Sequence, residues 1–252
     1  MSSRSNWLNT ALLVAEKDID VFLKGLNSII TLIANYLVTL VFMGFSLAGL
    51  LVLPNYFAFF ASGLVLVGLF NTSFLYYTII SDERQSGYIR YLLVLPCSKS
   101  AVAVGRMAAA VGQGFLLSAL SLVPIFVLIG VLPTILGLAS VILGILCGGL
   151  MLGGLGLFLA TRLNPDLVEP LTDFLGISLV FTSNIYYPQT IAPYPLSFVA
   201  TLNPISWACD TIRYGMGLRP FSLPSTVLAI SSALVLAYLG ARSYAFSFKR
   251  LD

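Results

Sequence analysis

The 252-residue chain contains no histidine, and only 9% of its residues are charged. Without imidazole it lacks the commonest metal ligand and the side chain best suited to proton transfer near neutral pH, which argues against a metal centre or acid–base catalysis. It has no G-x-x-x-x-G-K-[ST] segment and no Gly-Lys pair, so it carries no loop to cradle a nucleotide's phosphates and cannot hydrolyse ATP by itself. The three cysteines, Cys97, Cys147 and Cys209, fall on three levels of the topology derived below and suggest neither a disulfide nor a metal site. No cleavable signal peptide is visible, because the first long apolar run starts near Asn27 without a short apolar stretch and a small-residue cleavage site; that run is expected to serve as its own insertion signal.

What the chain has in abundance is apolar surface: 58% hydrophobic residues and a mean hydropathy of +0.97. This exceeds what a water-soluble core of this size needs and makes an integral membrane protein. A segment facing lipid must satisfy its backbone polar groups internally, so runs of about 20 apolar residues are helices; the short alternating strands of a β-barrel are absent. The runs are 27–53, 55–80, 107–131, 134–161, 171–187 and 225–246. At about 1.5 Å per residue all but the fifth, which is marginal, cross a hydrocarbon core of about 30 Å.

With both termini in the cytoplasm, 11 of the 13 cations fall on that side, leaving only Arg213 and Arg219 outside, as the positive-inside rule requires. The expectation is an all-α membrane protein of six transmembrane helices, a single transmembrane domain over 1–252 in the cell (plasma) membrane.

Ahead of the first span, Leu8, Leu12, Ala15, Ile19, Phe22 and Leu26 recur every three or four residues, with Asn9, Glu16, Lys17, Asp20 and Lys24 largely between them. This predicts an amphipathic interfacial helix within 1–26, with Trp7 at headgroup depth and its charges facing water. It serves either as a surface anchor or as an elbow packed against the ends of other helices.

Between the second and third spans lies a charged island, SDERQSGYIRYLLVLPCSKSAVAVGR, residues 81–106. Asp82, Glu83, Arg84 and Gln85 read as the wet end of the second span, which Gly87 breaks. The stretch YIRYLLVL, apolar apart from Arg90, then predicts a short cytoplasmic helix stopped by Pro96. Ser98 can cap the next helix, with Lys99 and Arg106 at its cytoplasmic end. A plain reversal needs only a handful of residues, so Leu92, Leu93, Val94 and Leu95 must pack under the bundle, enter the lipid interface or dock into another protein.

Residues 186–224 form a second anomaly. Pro188, Pro193, Pro195, Pro204, Pro220 and Pro224 punctuate two apolar pieces, 196–202 and 205–216, each too short to cross. Such pieces can dip into the outer leaflet and return only where protein or a wet cavity covers the broken backbone. Asp210 and Arg213, three residues apart, share a helical face and can pair.

This pattern resembles the type-2 ATP-binding-cassette transporter permeases over nearly the whole chain. Glu83, Gly87, Leu92, Leu93, Pro96, Ser98 and Gly105 are similar to that family's E-x-x-x-G-x-x-x-x-L-L-x-x-P segment, and Asn203-Pro204 followed by Arg213 matches a second landmark. The resemblance implies that 87–95 is a coupling helix seated in a groove of a nucleotide-binding subunit, with Glu83 and Arg90 near the contact. It implies that 7–24 is the connecting helix and that the outer pieces are re-entrant helices closing the route on the far side. One departure is Ser183-Asn184, where the family often has Ser-Gly before its aromatic-Pro break. On this reading the chain is the permease subunit of an ATP-driven exporter, and a separate ATPase subunit binds ATP and Mg. The chain itself binds no cofactor and no nucleic acid, and its other partners are membrane lipid and a second copy of itself or a related permease.

Two rival classes are weaker. An intramembrane enzyme would have to use Asp166, Glu169 and Asp173, but Pro165 and Pro170 interrupt that stretch, which reads as a solvated loop and helix start. An ion-driven or stand-alone carrier would place ionisable residues within its spans, and the first four carry none. Asn35, Thr39, Asn71, Thr72, Ser73 and Gln113 either line a pathway or join helices, with helix packing favoured, and Gly148, Gly149, Gly153, Gly154 and Gly156 read as a close-packing surface. Phe42, Phe45, Phe57, Phe59, Phe60, Phe70, Phe74, Tyr76 and Tyr77 are either an aromatic lining suited to a hydrophobic or amphipathic cargo or ordinary membrane anchors; by resemblance the cargo can be a drug, lipid, polysaccharide or lipid-linked glycan.

Overall fold

The computed structural model describes residues 2–51, 55–74, 76–88, 98–130 and 133–247, and among these the regular structure is helical throughout. In chain order the helices are α1 (Ser2–Lys24), α2 (Leu26–Leu50), α3 (Tyr56–Gln85), α4 (Lys99–Ile129), α5 (Ile135–Arg162), α6 (Pro165–Phe181), α7 (Leu196–Leu202), α8 (Pro204–Gly215) and α9 (Leu223–Ser247). Five of them, α2, α3, α4, α5 and α9, are long and apolar enough to cross a membrane. The expected fifth crossing is α6, 17 residues long, or about 25 Å at helical rise.

Helix α6 begins earlier and ends earlier than the apolar run suggested. Pro165 stands at its first position, where a missing N–H costs nothing, and Pro170 lies inside it. Pro165 therefore opens the helix, and Pro170 is carried within it at the loss of one backbone hydrogen bond. Both α2 and α3 contain one π-helical turn, at Thr39–Met43 and Phe70–Phe74.

Helix α5 is the hub. Its glycines let neighbours approach until backbone meets backbone: Gly144 faces Ala208 and Ile212 of α8, Gly156 faces the Phe74 carbonyl of α3, and Gly154 lies against Leu236 and Gly240 of α9. A side chain at these positions would occupy space already filled, the geometry by which small residues bring membrane helices together. The core continues through Leu64, Leu66 and Leu69 of α3 and Met151 and Leu152 of α5.

Helix α1 is docked on the bundle. Gly105 of α4 admits it so closely that an added Cβ would lie 2.5 Å from the Ala11 carbonyl oxygen. The buried face of α1 is Ala11, Ala15 and Asp18, whereas Leu8 and Leu12 are 56% and 65% exposed. Much of the apolar stripe thus faces outward, because the closest approach to α4 accepts only small side chains. Trp7 donates to the Ser100 hydroxyl on α4 at 2.9 Å, so α1 is fixed to the bundle and also presents an apolar surface. Ser98 does occupy the N-cap of α4, but its hydroxyl pairs with Ser100 at 2.8 Å and no side-chain bond caps the backbone.

Gly154→Val should separate α5 from α9 and destabilise the protein by about 1–3 kcal/mol, the usual cost of overpacking. Gly49→Ala, with open space around the added methyl, should be neutral or stabilising by up to about 1 kcal/mol. Thermal unfolding of the two variants in detergent checks the contrast.

Candidate functional site

Two guanidinium groups, at opposite ends of α3, organise the polar interior. The first is Arg106, near the start of α4 and 2% exposed. Its Nη1 donates to Asp18 Oδ2 at 2.8 Å and to the Tyr76 hydroxyl at 3.3 Å, and its Nη2 reaches both Glu83 oxygens at 2.6 and 2.7 Å. The Tyr76 hydroxyl in turn bonds Asp18, and Tyr244 of α9 also interacts with Arg106. Gln113 of α4 donates to the Asp18 carbonyl oxygen at 3.0 Å. One planar cation thus joins α1 and α3 to its own helix α4, using the fork geometry that suits guanidinium to carboxylates.

Further bonds stitch the same end together. Lys17 donates to the Tyr88 hydroxyl at 3.2 Å and stands over that ring, tying α1 to the start of the island. Arg84 donates to the carbonyls of Ala160 and Leu163, satisfying acceptors that the C-terminus of α5 would otherwise leave open. Arg162 and Thr161 both bond Ser243, and Tyr77 donates to Asp173 at 2.8 Å. Asp166 and Glu169 are exposed near the start of α6.

Of the residues expected to face a coupling partner, Glu83 is folded inward onto Arg106. Gly87 follows the end of α3 with φ +77°, a conformation that favours glycine. Arg90, Leu92, Leu93 and Pro96 lie outside the described residues. Sequence reasoning missed Asp18, and the signal for it was present: it shares a face with Ala11 and Ala15, an acid in line with a small-residue stripe.

The second guanidinium is Arg213 of α8, 1% exposed. It does not pair chiefly with Asp210, whose carboxylate is 4.0 Å away. Nε donates to Ser62 at 3.2 Å, while Nη2 donates to the carbonyl oxygens of Phe59 (3.3 Å), Asn184 (2.9 Å) and Ile185 (3.2 Å). Its Cζ lies 3.5 Å from the Phe59 ring centre, a cation–π contact. Asp210 instead accepts from Arg219 and from Asn184 Nδ2. The expected Asp210–Arg213 pair is therefore a wider network, because Arg219 competes for the same carboxylate and irregular backbone at 183–185 offers carbonyls that need donors.

Asn184, the departure from Ser-Gly, requires no left-handed backbone: among the described residues Asn55 alone is a non-glycine with positive φ. Its amide is used as a second anchor between the 183–185 turn and α8. Asn203 caps α8 through its Oδ1, which accepts from the Ile205 N–H at 3.0 Å, and its Nδ2 donates to the Leu179 carbonyl at 2.7 Å. Pro204 occupies the first turn, so this Asn-Pro pair fixes α8 to the end of α6. Pro188 is half-buried beside the Arg213 network.

The aromatic residues divide. Phe60, Phe74, Tyr76 and Tyr77 are buried in the core and cannot line a route, whereas Phe42 and Phe45 of α2 are exposed.

A helical bundle with five helices long and apolar enough to cross a membrane is that of a multi-pass membrane protein. The chain matches the family model of the ABC-2 type transporter over residues 12–216, most of its length, and belongs to that family. It is therefore the permease subunit of an ABC transporter, not itself catalytic, and its family implies an ATPase subunit as partner. No curated protein matches it.

Arg106→Gln leaves Asp18 and Glu83 buried without their counter-charge and should cost about 3–5 kcal/mol. Adding Asp18→Asn and Glu83→Gln to that variant should recover most of the loss. Thermal unfolding of the single and triple variants measures both.

Proposed function

We propose that this permease is half of an ATP-driven exporter, two copies of the chain pairing with two ATPase subunits to enclose one route. Six crossings place both termini in the cytoplasm, with α6 as the short fifth span and α7 and α8 as re-entrant pieces. The positive-inside distribution of cations supports that orientation. Residues 87–95 dock in a groove of the ATPase as the coupling helix.

The observation that carries this reading is the Arg106 joint. It fastens the helix entering the island (α3, through Glu83), the helix leaving it (α4) and the elbow (α1, through Asp18) into one body. A push on the docked island at nucleotide-driven closure then moves three elements together. Glu83 acts in this scheme as an internal strut, so its reversal strikes the joint and not an exposed docking charge. The open aromatic surface of α2 at Phe42 and Phe45 favours a hydrophobic, amphipathic or glycan- or lipid-type cargo.

Isolation of the chain in mild detergent, with co-purifying polypeptides identified by mass spectrometry, should recover a phosphate-loop ATPase. Leu92→Asp with Leu93→Asp should abolish that recovery. Glu83→Gln should retain the ATPase but lower transport per ATP hydrolysed in reconstituted vesicles. Recovery of no ATPase under conditions that preserve other membrane complexes would favour a stand-alone carrier.

A further inference from the structure

Between α4, α5 and α9 the surface of the bundle is hollowed into a groove of about 820 Å³, walled by Val104, Ala108 and Phe115 of α4, Leu146 of α5 and Ala237 and Tyr238 of α9 among others. Among the described residues, Tyr238 is the one member of this wall with a polar side chain. All three helices are long and apolar enough to cross a membrane, so what fills the groove comes from the bilayer and not from water. From Val104 to Phe115 the wall runs 11 residues along α4, roughly 16 Å at helical rise and about half of a hydrocarbon core of about 30 Å. That is the depth of one leaflet, the reach of a single acyl chain.

One end of the groove carries a cation. Val104 lies two residues before Arg106, and Tyr244 of α9 interacts with Arg106, so this part of α9 stands at the same end of the bundle. Here the Tyr238 hydroxyl accepts from Arg242 Nη1 at 3.3 Å, and the Arg242 guanidinium carbon lies 5.9 Å from the Tyr238 ring centre. Arg242 is exposed and directly follows Ala241, itself part of the wall. Among the described residues it forms no ion pair. A hydroxyl occupies one of the five guanidinium donors and leaves others for the oxygens of a phosphate. At the far end, Phe115 and Ile142 are apolar, so the groove has a single polar mouth.

We propose that this groove seats one acyl chain of an anionic phospholipid, with the lipid's phosphate on Arg242. The wall matches such a chain in depth and polarity, and the cation stands where the chain would meet its headgroup. A zwitterionic lipid brings the same chain but no net charge, so Arg242 sets the preference between them. The site depends neither on the coupling scheme, nor on the pairing of copies, nor on the direction of transport. Both Tyr238 and Arg242 lie beyond the family match, which ends at residue 216.

The test uses the purified full chain without ATPase, so its failure is separate from failure of the exporter reading. Native mass spectrometry after incubation with equal phosphatidylglycerol and phosphatidylcholine should show one phosphatidylglycerol retained per chain, in preference to phosphatidylcholine. Arg242→Gln, a surface change, should lower phosphatidylglycerol retention about fivefold, the effect of one cation near a lipid surface, and remove the preference. Ala108→Phe, which fills the groove from an exposed position, should abolish retention of both lipids. Lys24→Gln, removing an exposed cation of α1, should leave retention and preference unchanged.

A second arm follows thermal unfolding of the same variants. Without lipid, all three should unfold with the parent; added phosphatidylglycerol should stabilise the parent and Lys24→Gln but not Ala108→Phe. Retention of both lipids alike by the parent, a preference that survives Arg242→Gln, or retention that survives Ala108→Phe would overturn the proposal. So would a dimer in lipid-free detergent that Ala108→Phe dissociates, since the groove would then hold a second copy of the chain.

Discussion

A guanidinium withdrawn from water must be surrounded by acceptors, and Arg106 obtains its acceptors from two other helices. Desolvating one cation and two carboxylates is tolerable only when their geometry is close to ideal, and this requirement fixes more than the cluster itself. Asp18 must face inward, so α1 cannot rotate about its axis, and its small-residue side is then the side that meets α4. Leu8 and Leu12 are consequently left on the outside, where lipid or its interface suits them. The position of the elbow is thus dictated by charge, and the apolar pattern follows.

At the other end the same chemistry serves a different need. The 183–185 turn interrupts regular helix within a largely apolar protein, and its carbonyl groups would be without donors in lipid. Arg213 supplies donors to Asn184 and Ile185 and also to Phe59 of α3. A long, permanently charged fork is what supports the broken backbone here, and a residue with a single donor would not reach all three carbonyls. Between the two ends, α5 contributes almost no polarity and acts through what it omits, since its glycines set how near every other helix can stand.

The sequence was most legible where a single physical rule dominated. Backbone satisfaction in lipid made the long apolar runs helical, and the prolines of 186–224 delimited α7 and α8 almost to the residue. Gly87 ended α3 as its freedom at positive φ suggested. Legibility failed where a residue's role depended on partners far along the chain. Arg106 read as one more cation at a helix end because nothing local shows that Asp18, 88 positions earlier, turns toward it. Arg219 read only as one of two cations on the outer side for the same reason, and the apparent Asp210–Arg213 pair was proximity in sequence overruled by a competitor in space. Pro165 and Pro170 misled because proline marks both helix starts and loops, and only the surrounding packing distinguishes them.

The π-helical turn in α3 gains meaning from its position between the two guanidinium groups. Phe59 and Ser62, which Arg213 holds, precede it, and Tyr76 and Glu83, which Arg106 holds, follow it. One additional residue in a turn advances the azimuth of everything beyond it by about 100°. The two halves of α3 therefore keep separate phases, each aligned to its own cation. Loss of one residue from 70–74 would bring the halves into a common phase and leave one of the two arginines addressing the wrong side of the helix.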